Sequence, residues 1–172
     1  RNGRIAHVAL SGGTTGAAVL QAVAEHPKTP QIDWSLVHFW WGDERFVAHD
    51  DDDRNAVQSR RALLDHIEVP AENVHEVAAS DSGLTLDEAA TAYAAELARF
   101  GGEGEAWPSF AVCFLGVGAD GHIASLFPDR AEVTATDAAA LPVRDSPKPP
   151  AERVTLTRPV LNASDRIWLV LA

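Results

Sequence analysis

Apolar runs of strand length alternate along this chain with segments of helical period, and that alternation constrains the fold more than any other feature. Ile5 to Leu10, Leu36 to Trp41 and Phe110 to Val117 read as strands buried among other elements, the last on both faces. Val154 to Leu156 and Ile167 to Leu171 add two shorter ones, joined by a short helix near Pro159 to Ala163. Between the strands lie a helix with Val19, Leu20 and Val23 on one face and another carrying Val57, Leu63, Leu64 and Ile67. The clearest helix is Leu86 to Phe100. Thr85 and Glu88 have capping-box spacing, Leu86, Ala90, Tyr93, Leu97 and Phe100 recur at helical intervals, and Gly101-Gly102 stops it. Strand–helix alternation of this kind predicts an α/β fold with a mainly parallel sheet. The Pro-rich stretch Ser146-Pro-Lys-Pro-Pro150 reads as a rigid, extended loop.

With 172 residues the chain suits one domain. Its charged residues number 14 basic and 25 acidic, a net −11 that argues against nucleic acid, whose backbone needs a basic face. A phosphorylated small molecule stays open, because distant charges are screened within ~8 Å and a few basic groups around one pocket can hold a dianion. No apolar run approaches the ~18 residues of a membrane span, and no basic-then-apolar leader is visible. The single cysteine, Cys113, excludes an intrachain disulfide and lies in an apolar run as a buried thiol would. Together these features predict a cytoplasmic protein with no membrane partner and no obligate protein partner. The chain has no methionine, so Arg1 is not a natural start and the front end reads as trimmed.

Three loops follow candidate strands and can therefore share one crevice, because ligands in open α/β sheets sit beyond the carboxyl ends of the strands. The first, Ser11-Gly-Gly-Thr-Thr-Gly16, lets backbone approach an anion at a helix start. A tight turn that needs glycine sterically would read the same way, and the Lys-Ser/Thr ending of a nucleotide P-loop is missing. The second is Gly42-Asp-Glu-Arg45, directly after Trp40 and Trp41. The third, Gly116-Val-Gly-Ala-Asp-Gly121, matches a dinucleotide fingerprint in letters only. Pro128 ends any helix after it too early, and no strand ending in Asp or Glu follows at the required distance, so no nicotinamide cofactor is expected. What this loop does offer is His122, a side chain that can take and return a proton near neutral pH.

Metal ligation is not expected. The seven histidines are scattered, H-E-x-x-H and C-x-x-C are absent, and an EF-hand counted from Asp51 would put Ala56 and Ala62 where Gly and Glu belong. A Ser-His-Asp site with a G-x-S-x-G elbow is absent as well.

Five segments in order resemble the 6-phosphogluconolactonase family, within the wider sugar-phosphate isomerase/deaminase superfamily. They are Leu10-Ser-Gly-Gly-Thr14, Trp41-Gly-Asp-Glu-Arg-Phe-Val47, Asp52-Asp-Arg-Asn55, Leu115 through Pro128, and Ser146-Pro-Lys-Pro-Pro150 running on to Arg153-Val-Thr-Leu-Thr157. The resemblance implies a three-layer, Rossmann-like α/β/α domain without a bound cofactor, and metal-independent hydrolysis of 6-phospho-D-glucono-1,5-lactone in the oxidative pentose phosphate pathway. It implies His122 as acid/base and Asp120 as the residue that orders its loop. Ser11, Gly12, Gly13, Asp43 and Arg45 would face the sugar phosphate, with Lys148 and Arg153 as further basic contributors. Backbone amides between Gly116 and Gly121 are a candidate oxyanion hole. Related enzymes often read Gly-Gly-Ser-Thr-Pro where this chain has Gly12-Gly-Thr-Thr-Gly16, and they extend further at both ends. The competing readings are an aminosugar-phosphate deaminase, whose Phe-Asn-Glu-Pro stretch is replaced here by Ser125-Leu-Phe-Pro128, and a non-catalytic sugar-phosphate sensor.

Overall fold

The computed structural model describes residues 4–171. In chain order the elements are β1 (Ala6–Leu10), α1 (Gly13–Ala24), β2 (Val37–Trp41), β3 (Asp43–Arg45), α2 (Asn55–Ala62), α3 (Leu86–Ala98), β4 (Phe110–Gly116), β5 (Ala140–Val143), β6 (Arg153–Leu156), α4 (Arg158–Asn162) and β7 (Ile167–Val170). Four strands form a parallel sheet in the order β2-β1-β4-β7, as the alternation of elements predicts.

Strand periodicity assigns the two faces of this sheet. Leu10, Phe39 and Trp41 point to one side and pack with Leu20 of α1, Ala56 of α2 and the following Leu63 and Leu64. Ala9, Trp40, Cys113 and Leu115 point to the other, where they meet Leu86, Ala90, Tyr93 and Leu97 of α3. Three layers result. A register shift between His7 and Val8 sets His7 opposite Phe110 but Val8 opposite Val112, and this bulge turns the fully buried Phe110 to the α3 side. Helix α3 begins with the capping box read from its spacing: the Glu88 N–H donates to Thr85 Oγ1, and the Thr85 N–H donates to the Glu88 carboxylate.

Two expectations need correction. Gly42 to Arg45 is not a loop: β2 passes through Gly42 straight into β3, which pairs antiparallel with β6, and β6 pairs antiparallel with β5. Val154 to Leu156 therefore belongs to a second, three-stranded sheet of order β3-β6-β5 rather than to the parallel one. This small sheet shares a core with α3 and α4 through Ala140, Val154, Leu156, Val160 and Leu161. Strand β4 is also less enclosed than its apolar run predicts. Phe110, Cys113 and Leu115 are buried, whereas Phe114 on the opposite face is half-buried against Trp168, itself 54% exposed on β7. No described helix is long and apolar enough to cross a membrane.

Candidate active site

The chain leaves β1 toward β2 on one side of the sheet, while β4 lies on the other, so β1 and β4 flank a switch point where their carboxyl ends open a crevice. The Ser11 loop and the Gly116 loop start from those two ends. They are clasped directly: the Gly116 N–H donates to Ser11 Oγ at 3.1 Å. Beside Ser11 the wall is built by α2, because the Gly13 N–H donates to Gln58 Oε1 at 2.9 Å. Asn55 lies over Gly12 so closely that a Cβ there would fall 1.7 Å from Asn55 Oδ1, which explains glycine at that position by close approach.

After Gly116 the chain doubles back on itself. The Gly118 N–H donates to the His122 carbonyl and the Gly121 N–H to the Gly118 carbonyl, both at 2.9 Å, while Val117 bridges Ile123. This closed turn sets the His122 ring against the Gly118 backbone, where any Cβ would lie 2.1 Å from the imidazole. Asp120 Oδ1 lies 2.5 Å from His122 Nδ1, and that hydrogen bond holds the Asp120 carboxyl down at about 2. An ionised carboxylate can only accept, so Nδ1 carries the proton and the lone pair is on Nε2. Among the described residues Nε2 has no hydrogen-bond partner in the protein, and the His122 ring lines the crevice. The ring rests near Phe127, whose face also lies under the Arg153 guanidinium.

The third wall comes from β3, whose alternation turns Asp43 and Arg45 to the crevice and Glu44 to the interior. The Asp43 carboxylate accepts from Ser125 Oγ at 2.6 Å and lies 3.9 Å from Arg153 Nη1. Arg45 Nη1 donates to the Asp53 carbonyl at 2.7 Å. Arg153 is 4% exposed and holds the Pro-rich loop, donating from Nε to the Pro150 carbonyl and from Nη2 to those of Lys148 and Pro149. Burial works against its charge, and Asp43 offsets part of that cost.

Ser11, Gly12, Gly13, Asp43, Arg45, His122 and Arg153 thus line one cavity of ≈ 190 Å³, although they come from four separate stretches of sequence. Asp120 stands behind His122 rather than in the lining. Lys148 does not reach the cavity: its Nζ lies 3.7 Å from Asp120 Oδ1, so it faces the back of the His122–Asp120 pair instead of a substrate phosphate. The expected oxyanion hole is also half occupied, because three of its six amides, those of Gly116, Gly118 and Gly121, donate within the protein. Sequence reasoning gave no role to Asn55, Gln58 or Ser125. Only Asn55 carried a signal, as the residue that opens a helix after an acidic run. No three His, Cys, Asp or Glu side chains among the described residues cluster so as to hold a metal ion.

A family model described as glucosamine-6-phosphate isomerases/6-phosphogluconolactonase matches residues 1–172. The chain belongs to this family. Within it, the chain is 46% identical over 167 residues to the 6-phosphogluconolactonase of Mycobacterium tuberculosis, covering 96% of this chain and 67% of that protein. It is 44% identical over 171 residues to the 6-phosphogluconolactonase of Streptomyces coelicolor, covering 97% of this chain and 66% of that protein. Among solved structures of the family, 6-phosphogluconolactonase from Thermotoga maritima superposes with a TM-score of 0.81 at 32% identity, over 96% of this chain and 69% of that one. The Trypanosoma brucei 6-phosphogluconolactonase gives the same score at 27% identity, over 96% and 69%. The chain spans about two thirds of the length of the curated family members it matches.

Proposed function

We propose that this chain hydrolyses 6-phospho-D-glucono-1,5-lactone to 6-phospho-D-gluconate, with His122 as general acid and base. The observation that carries the mechanism is the free Nε2 of His122 on the cavity wall, with Nδ1 fixed by Asp120. Nε2 takes a proton from water as the water oxygen bonds to C1 of the lactone. The imidazolium then returns that proton to the ring oxygen as the C1–O bond breaks, leaving the acid and a free hydroxyl. Asp120 keeps the imidazole in the tautomer with its lone pair on Nε2 and stabilises the imidazolium between the two steps. Because three of the loop amides are engaged, the two guanidinium groups of the cavity supply the positive field. Arg45 has a planar fork suited to phosphate oxygens, and the first turn of α1 with Thr14 and Thr15 forms the adjoining wall.

Deaminase chemistry is not favoured. Where that branch carries Phe-Asn-Glu-Pro after the histidine, this chain has Ser125-Leu-Phe-Pro128, which puts the buried Phe127 at the glutamate's place and offers no carboxylate. The test is consumption of freshly made lactone by the purified chain above its spontaneous hydrolysis. His122→Asn is expected to lower kcat by roughly 10²–10⁴-fold. Near wild-type turnover in that variant would remove His122 from the mechanism.

A further inference from the structure

Three walls of the cavity meet at one buried carboxylate that takes no part in the chemistry above. Glu44 is 1% exposed. Its Oε1 accepts the N–H groups of Arg45 and Asn55, both at 2.7 Å, and its Oε2 accepts that of Ala56 at 2.8 Å. The first of these donors belongs to β3 and the other two to the opening turn of α2. No side chain caps α2 from its own N-cap position, Arg54, so Glu44 satisfies the helix start from another element. What α2 carries from there touches the site: Asn55 Nδ2 donates to the Asp43 carbonyl at 2.8 Å, its Oδ1 packs on Gly12, and Gln58 holds the Gly13 amide.

We infer that Glu44 is a positioning residue that fixes the substrate cavity, by locking β3, the start of α2 and the Ser11–Gly13 loop into one arrangement. It touches no reacting atom. Its effect reaches substrate through Arg45 on one side and through Asn55 and Gln58 on the other.

The charged and titratable groups around Glu44 are its neighbours Asp43 and Arg45 on β3, Arg54 with Nη2 at 4.0 Å, Glu76 beyond that guanidinium at 3.9 Å, and Tyr93 of α3, whose hydroxyl is made less acidic chiefly by burial and further by the charges of Glu44 and Asp43. Burial raises the Glu44 carboxyl to about 7, while Arg54 and the three backbone N–H groups pull the other way. As pH falls through that value the neutral acid becomes a weaker acceptor and loses its attraction to Arg54. The clamp then loosens.

The inference rests on the lactonase reading for its kinetic readout. Glu44→Gln keeps the shape but sets an N–H group against one of the backbone donors. In the full chain, with folding confirmed by a cooperative melt, this variant is expected to raise KM for 6-phosphogluconolactone about tenfold and to change kcat less than twofold. The rise of KM toward acid expected of the wild type should disappear in this variant. An unaltered KM with an unaltered pH profile overturns the role. If Glu44→Gln does not fold, Gln58→Ala decides: raised KM with kcat retained supports the clamp, and unchanged KM overturns it. A wild-type chain that leaves the lactone at its spontaneous rate sinks the lactonase reading alone. Glu44 is then judged by hydrogen exchange of the Gly13 amide, which Glu44→Gln must accelerate for the positioning role to stand.

Discussion

The parallel sheet carries a histidine–carboxylate pair at each end, and the two pairs do different things. Beyond the carboxyl ends of the strands, His122 binds Asp120 through Nδ1 and leaves Nε2 free on the cavity wall. Toward the amino ends, His75 binds Glu96 through Nδ1 at 2.9 Å, but its Nε2 is held by His38 Nδ1 at 2.8 Å. The Trp40 ring stacks on His75 at 3.9 Å, and Trp40 Nε1 donates to His7 Nδ1. The side chain of His75 is 3% exposed against 15% for His122. The pair chemistry is the same in both places. The proton-carrying role proposed for His122 needs its second nitrogen uncommitted, and at His75 that nitrogen is held.

That comparison breaks if both histidines behave alike. His122→Asn should reduce turnover by the orders of magnitude given above with little effect on the melt. His75→Asn should leave kcat within about twofold but cost on the order of 1–3 kcal/mol of stability, because a buried His38 nitrogen loses its partner. Substantial loss of turnover in His75→Asn at full folding would refute the distinction.

Asp120→Asn sharpens the same contrast with a smaller effect. An amide can offer its N–H to Nδ1 and so favour the tautomer with the proton on Nε2, which cannot serve as base. We expect kcat to fall roughly 10–10²-fold with KM nearly constant, read from initial rates above the spontaneous background. Glu96→Gln at the other end should leave kcat unchanged.

The smallest expected effect is in pH and stability. Burial, with His38 and His75 nearby, pushes His7 down to about 4, and burial also lowers His38 and His75. Between that value and the ordinary 6.5 the unfolded chain takes a proton that native His7 refuses, so stability falls as pH drops through this window. Glu44 acts with the opposite sign, since its raised carboxyl favours the fold as pH falls from about 7 toward 4.5. The His7 contribution is isolated by difference: His7→Gln, which keeps an acceptor for Trp40, should reduce the loss of stability between pH 7 and pH 5 by about 1 kcal/mol after solvent screening. Parallel pH curves for the two proteins would exclude His7 as the acid-sensitive group.

Much of this was legible in the chain because it is local. The capping box of α3, the strand runs of the parallel sheet and the glycine-rich turn that leads into His122 each announce themselves within a dozen residues. The second sheet did not. β3 is the polar triplet Asp-Glu-Arg, too short and too charged to show a strand period, and β5 includes Pro142, which ordinarily argues against a strand. At the site, glycines and a histidine mark positions by residue type, whereas Ser125 joins Asp43 across 82 residues and Ser11 joins Gly116 across 105. The first pair is set by how the two sheets dock and the second by the pairing of β1 with β4. The same docking moved Lys148 away from the cavity, because the Pro-rich loop is tied down by Arg153 and carries the lysine to Asp120 instead.

The passage of the chain through Gly42 has a thermodynamic consequence. At that residue the backbone belongs to both sheets, donating to the Leu10 carbonyl of one and accepting from the Leu156 N–H of the other. The crevice lies across the same seam, with His122 and Ser11 anchored to the parallel sheet and Asp43, Arg45 and Arg153 to the antiparallel one. An occupant of the crevice therefore works as a rivet between two plates. By mass action, 6-phosphogluconate at 100 times its Kd would add about 2.7 kcal/mol to the unfolding free energy. Slowed hydrogen exchange should appear at the Gly42 and Leu156 amides, which touch no ligand, as well as at the loops that do.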